Sequence, residues 1–145
     1  MKYFVLTTLM FIAGIALTRI EREPHTFTPV VRVRTANGLF FTLLQHEVPT
    51  KSSCTTAVEG MVGGFDNTCP TCTVESVECA TKLEGIEAAL ARRKPVPLYV
   101  VSSDEIRIGI LGPPASVQAQ CEKMATVMHN GGVKSATCLP PSGPS

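Results

Sequence analysis

Six cysteines, Cys54, Cys69, Cys72, Cys79, Cys121 and Cys138, carry most of the reactive chemistry available to this 145-residue chain. Cys69-Pro70-Thr71-Cys72 has the spacing of a thiol–disulfide redox motif. Such a motif works by stabilising a thiolate, usually at a helix N-terminus that follows a strand. Here the order is reversed: a helical pattern and a loop precede the pair, and "TVESVEC" after it alternates like a strand. A zinc site drawn from Cys69, Cys72, Cys79 and either Cys121 or His129 would need ligand pairs from two knuckles, and a second C-x-x-C is absent. An even cysteine count in an oxidising compartment reads most simply as a disulfide framework.

No other residues form a catalytic constellation. His25 falls in a charged, proline-bounded stretch, His46 after a strand pattern and His129 near a helix end, each without a nucleophile in its pattern. Glu75 and Glu78 are odd-spaced on a strand and are expected on opposite faces, which excludes a paired-carboxylate site. "GMVGG" at 60–64 follows a helix pattern and lacks the Lys-Ser/Thr of a phosphate loop, so it reads as a helix stop. No catalytic, cofactor or metal residue is assigned. A formal net charge of +1 and eight aromatic residues (six Phe, two Tyr) give no footprint of a nucleic-acid binder.

The elements that must hold the cysteines follow from patterning. Residues 1–18, "MKYFVLTTLMFIAGIALT", place Lys2 before an apolar run that lasts until Arg19. That is the form of a signal anchor or a signal peptide. Ala16 and Thr18 make a poor cleavage site, which favours an anchor: a single-pass bacterial inner-membrane protein with its domain in the periplasm, or a secreted one if the leader is cut. Residues 19–29 read as a stalk, 30–139 as the folded domain and 140–145, "PPSGPS", as a disordered tail.

Within the domain, an offset of 67 positions lays "VVRVRTANGLFFTLLQ" (30–45) on "PLYVVSSDEIRIGILG" (97–112), each a pair of short strands around a polar turn. The same offset lays Cys54 on Cys121 and Met61 on Met128, in two helical stretches that end at "GG" (63–64) and "NGG" (130–132). Each helix leads into a last strand, within 72–80 and 133–139. The repeat suggests bridges from Cys121 to Cys138 and from Cys54 to Cys72, with Cys69 as substitute, and leaves Cys69 and Cys79 for a third. Between the units, "TKLEGIEAALARR" (81–93) predicts a connecting helix with a Thr81–Glu84 capping box, its C-terminus complemented by Arg92, Arg93 and Lys94. The expected fold is α+β: a two-layer sandwich of ferredoxin-like flavour, with a mainly antiparallel sheet, helices on one face and two pseudo-repeated hairpin-helix-strand units.

"EIRIGILGPPASVQAQCEKMATVMHNGGVKSATCL" (105–139), about a quarter of the chain, is similar to the second half of the SPOR domain, a βαββαβ module. Arg107, Ile108, Gly109 and Ile110 match its R-V-x-V-G-P strand loosely, with Gly112 and Pro113 displaced. The resemblance implies a periplasmic domain that binds peptidoglycan. The expected function is therefore a membrane-anchored envelope protein with a non-catalytic binding or scaffolding domain, whose partner is an envelope protein or cell-wall glycan. The alternative is a periplasmic thiol–disulfide oxidoreductase using Cys69 and Cys72.

Overall fold

A computed structural model describes residues 25–143. The elements are β1 (Thr28–Arg34), β2 (Phe40–Gln45), α1 (Lys51–Thr68), β3 (Thr73–Ala80), α2 (Gly85–Ala91), β4 (Tyr99–Ser102), β5 (Ile106–Leu111), α3 (Pro114–Asn130) and β6 (Thr137–Leu139). The expected membrane helix at 1–18 lies outside the described residues, and among those described no helix is long and apolar enough to cross a membrane. Strand structure begins inside the expected stalk, where Phe27 bridges to Val48 and β1 starts at Thr28. At the other end, the amide of Ser142 donates to the carbonyl of Val96 at 2.9 Å, which ties down the beginning of the expected tail.

The six strands form one antiparallel sheet in the order β3-β1-β2-β5-β4-β6. That order reads the same from either edge: a hairpin, then the strand that follows its helix, paired back onto the hairpin's first strand. The two halves meet at β2 and β5, where Thr42 sits opposite Gly109. Those partners are 67 positions apart, so the sequence offset places each residue of the pair on its own equivalent. A pseudo-two-fold axis through this pair exchanges Phe41 with Ile108 and Leu43 with Ile110, which face each other crosswise in the same register.

Both faces of the sheet are covered. On one, α1 packs over β1 and β3, and α3 over β4, β5 and β6. Their buried stripes are Cys54, Val58 and Met61 on α1 and Val117, Cys121 and Ala125 on α3, with Val31, Val33, Phe41, Leu43, Ile108 and Ile110 rising from the sheet to meet them. On the other face α2 lies across β2 and β5, and Leu90 packs with Val30, Leu44, Leu98 and Val100. The expected arrangement, with all helices on one face, is thus corrected. Val30 and Val31, and Val100 and Val101, are consecutive and both buried, and a central strand buried on two sides reads as a run instead of an alternation. Gly109 makes room for α2: a Cβ there would meet Leu90 Cδ1 at 3.0 Å and Leu98 Cδ1 at 3.2 Å.

Local signals were overridden in three places. α1 does not stop at Gly63–Gly64 but runs to Thr68, because Phe65 beyond the glycines packs against Phe41 with ring centroids 6.2 Å apart. Its start is a cap at Thr50, whose Oγ1 accepts from the amide of Ser53 at 3.1 Å. The Thr81–Glu84 capping box does not form; Gly85 takes φ +56°, a left-handed turn that bars a right-handed helix from reaching back to Thr81, and Glu84 pairs with Lys82 instead. In β3, a register shift opposite Arg32 and Val33 brings Glu75 and Glu78 to one face, where they pair with Arg34 at 2.7 Å and Arg32 at 3.2 Å; the expected opposite-face placement fails because a bulge resets the alternation.

The β1–β2 turn shows what Asn37-Gly38 supplies. The amide of Gly38 donates to the carbonyl of Thr35 and that of Thr35 to the carbonyl of Leu39, a loop in which Gly38 alone takes a positive φ, +82°. Gly38→Ala is expected to cost about 1–2 kcal/mol through that backbone conformation, read as a lower urea midpoint at unchanged m-value.

Candidate functional site

All six cysteines are bonded. Cys121 joins Cys138 (Cα–Cα 5.5 Å), the pairing expected from the repeat. Cys54 joins Cys79 (5.9 Å) and Cys69 joins Cys72 (5.3 Å), which corrects the expected Cys54–Cys72 and Cys69–Cys79 bridges. Helix length explains the difference. From Cys54, in the first turn of α1, to Cys69 at its end is about 22 Å at 1.5 Å per residue. The chain must retrace that length along β3, and the seven residues from Cys72 to Cys79 at about 3.3 Å each do so. Each long helix is thereby fixed to an outer strand of its own half of the sheet. No group of three metal-ligating side chains comes together among the described residues, and Cys69, Cys72, Cys79 and His129 do not converge.

Because α1 and α3 lie over outer strands, they leave a groove of about 620 Å³ above the central β2–β5 pair. Met61 and Phe65 form one wall, and Met124, Val127 and Met128 the other, over a floor of Phe41, Leu43 and Ile108. Gly60 and Gly64 widen it, since a Cβ at either would meet nothing within 4 Å. Val127 is 58% exposed, a large apolar side chain offered to solvent. Lys123 is the cation on the lining, and the Cys69–Cys72 bridge sits at one end.

Cys69 caps the C-terminus of α1, with its amide donating to the carbonyl of Phe65 at 2.7 Å. The partial negative charge of a helix C-terminus disfavours a thiolate, so the pair lacks the electrostatics of a reactive dithiol. His25, His46 and His129 are all exposed; His46 Nε2 contacts the carbonyl of Asp104, and His129 Nδ1 that of Lys134 at 3.2 Å.

A second cavity, of about 570 Å³, lies on the opposite face between the C-terminal end of α2 and the adjoining ends of β2 and β5. Arg107 reaches it from β5, paired in the sheet with Leu44 and Ser102. Its residue is only 8% exposed, its Nε has no hydrogen-bond partner, and no carboxylate lies within ion-pair distance among the described residues. Burial, and then the charge of Arg93, push its pKa down. Arg32 on the same face shows the ordinary solution for a sheet arginine. Burial also acts against its charge, but Glu87 and Glu78 more than offset this, so its pKa is raised; the Glu87 carboxylate accepts from Nε and Nη2, both at 2.7 Å.

Arg107 is marked in the sequence itself. It is a charge inside "IRIGIL", and it would be solvent-facing only if the second face were open. Beyond the expected complement to the helix dipole, Arg93 follows α2 at φ +54° and sends Nη2 to the carbonyls of Ser103 (2.8 Å) and Asp104 (3.2 Å).

Comparison with known protein families, curated proteins and solved structures finds no match for this chain. The SPOR resemblance gains nothing from it, and the observed order, ββαβ twice around a short helix, is not the βαββαβ of that module.

Proposed function

We propose that this is a non-catalytic binding domain of the bacterial envelope, held at the inner membrane by residues 1–18 and exposed in the periplasm, and that it captures an amphipathic helix of a partner protein between α1 and α3. The observation that carries the reading is the apolar groove itself. Its walls are methionine, phenylalanine and valine; the polar side chains Thr35, Asn37, Thr68, Thr71 and Gln120 also line it, but the surface it offers is mainly apolar, which favours a protein partner over cell-wall glycan. Unbranched methionine side chains repack against varied apolar surfaces, and two helix walls over a sheet suit a third helix laid between them. Lys123 complements an acidic residue beside the apolar stripe of that helix. Export is supported by the complete pairing of the cysteines, which an oxidising compartment sustains.

The test compares the full chain with Val127→Asp, a change at an exposed position that leaves the core intact. The same envelope protein should co-purify with the unaltered chain and be lost at least about tenfold with the variant, the effect of removing one interface anchor. Sedimentation with purified cell-wall sacculi should pull down neither. Strong binding to sacculi, or capture that Val127→Asp does not weaken, would reverse the reading.

One observation favours the oxidoreductase alternative: the Cys69–Cys72 bridge lies at the end of an apolar groove, where a polypeptide substrate would present its own cysteine. Its place at a helix C-terminus weighs against it. Turnover in a thiol–disulfide exchange assay that disappears in Cys72→Ser would establish this second reading over the first.

A further inference from the structure

We propose that Arg107 and Arg93 form a binding site for the phosphate group of a small organic phosphate, in the cavity under the C-terminal end of α2. The site is on the opposite face of the sheet from the helix groove, and it stands or falls independently of the partner-binding function.

The argument begins with the cost of Arg107. A guanidinium keeps its charge at any physiological pH, and a buried charge without a counter-charge is expensive. Arg32, one strand beyond β2 on the same face, has two carboxylates and a serine hydroxyl. Arg107 has none within reach, although its Nε is buried and the side chain opens into a cavity of about 570 Å³. Arg93 adds a second positive charge where a carboxylate would be expected. The bonds Arg93 makes to the Ser103 and Asp104 carbonyls use Nη2 alone, and they hold the guanidinium in place while Nη1 and Nε remain to donate. His46, contacting the same Asp104 carbonyl, steadies this corner from the β2 side.

Charge balance sets the class of ligand. The lining has Lys82, Arg92, Arg93 and Arg107 against Glu47 and Glu105; Lys82 pairs with Glu84, and the Glu47 carboxylate already accepts from Thr26 Oγ1 at 2.9 Å. Paired guanidiniums match the doubly charged oxyanion of a phosphate monoester better than a single carboxylate, because each can present a fork of N–H donors. The cavity is far larger than the phosphate group and falls in the range of small-molecule sites. Leu44, Leu83 and Ala88 supply an apolar wall for the organic body, and Glu105 an acceptor for its hydroxyls.

The experiment is a calorimetric titration of the full, oxidised chain with glycerol 3-phosphate, inorganic phosphate and acetate at constant ionic strength. Saturable binding of glycerol 3-phosphate is expected, tighter than that of acetate by at least about tenfold, since a charge-assisted contact is lost with the smaller charge. Arg107→Met should abolish it. Arg93→Asn, which keeps a residue tolerant of positive φ at an exposed position, should weaken it at least about tenfold and guards against a folding defect in the first variant. Binding retained in both variants, no saturable binding by the unaltered chain, or acetate bound as tightly as glycerol 3-phosphate would each overturn the proposal.

Discussion

Replacing Cys121 and Cys138 together by alanine should lower the free energy of unfolding by about 3 kcal/mol, and replacing Cys54 and Cys79 should lower it by about as much. The closed loops span 17 and 25 residues, and the chain-entropy estimate changes little between such lengths. Cys54 and Cys121 are fully buried under their helices, so native-state packing adds to the loss. Cys69 and Cys72, three positions apart, close a loop too short to constrain the unfolded chain as much; their removal should cost about 2 kcal/mol at most. Urea unfolding of the three double variants reads the order directly. A domain of this size has only about 5–15 kcal/mol in hand, so reducing the two long-loop bridges at once should bring it close to unfolding. A Cys121/Cys138 variant within about 1 kcal/mol of the unaltered protein would mean that the bridge does not carry α3, against the chain-entropy expectation.

Leu90→Ala should cost about 2–5 kcal/mol, the range for a buried leucine truncated in a core that relaxes only in part. Leu90 is fully buried and is the one buried residue of α2. It drops into the space that Gly109 leaves, between Leu98 and the strands of the second face. A seven-residue helix has little stability of its own, so its position rests on this side chain and on the Arg32–Glu87 pair. Ile86 on the same helix is 43% exposed, and Ile86→Ala should change stability by about 0.5 kcal/mol or less. The contrast is the measurement: equal effects of the two substitutions would show that α2 does not close the second face. Because Arg107 and Arg93 lie beneath and beside the end of α2, Leu90→Ala should also open the basic cavity, while leaving the helix groove on the far side unchanged.

The amino-acid sequence by itself determined the half-structures. Alternation in 30–45 and 97–112 defined both hairpins, and the helical stripes carrying Cys54 and Cys121 defined the two long helices. The 67-residue offset matched the two units residue for residue, and the structure brings one matched pair, Thr42 and Gly109, face to face at the middle of the sheet. The Cys121–Cys138 bridge followed from the same reading, because Cys121 lies midway along α3 and leaves only about 14 Å of helix for the chain to retrace before Cys138.

Only the tertiary structure decided the rest. Where α1 ends depends on Phe65 finding Phe41, and the extra turn helps carry the chain far enough that Cys79, not Cys72, returns to Cys54. That α2 crosses to the second face depends on Gly109 being opposite Leu90, a pairing distant in sequence. The groove between α1 and α3 and the unpaired Arg107 are products of those placements. Local pattern reports which side of an element is apolar; it does not report what will cover that side, since burial is a property of contacts between elements far apart in the chain.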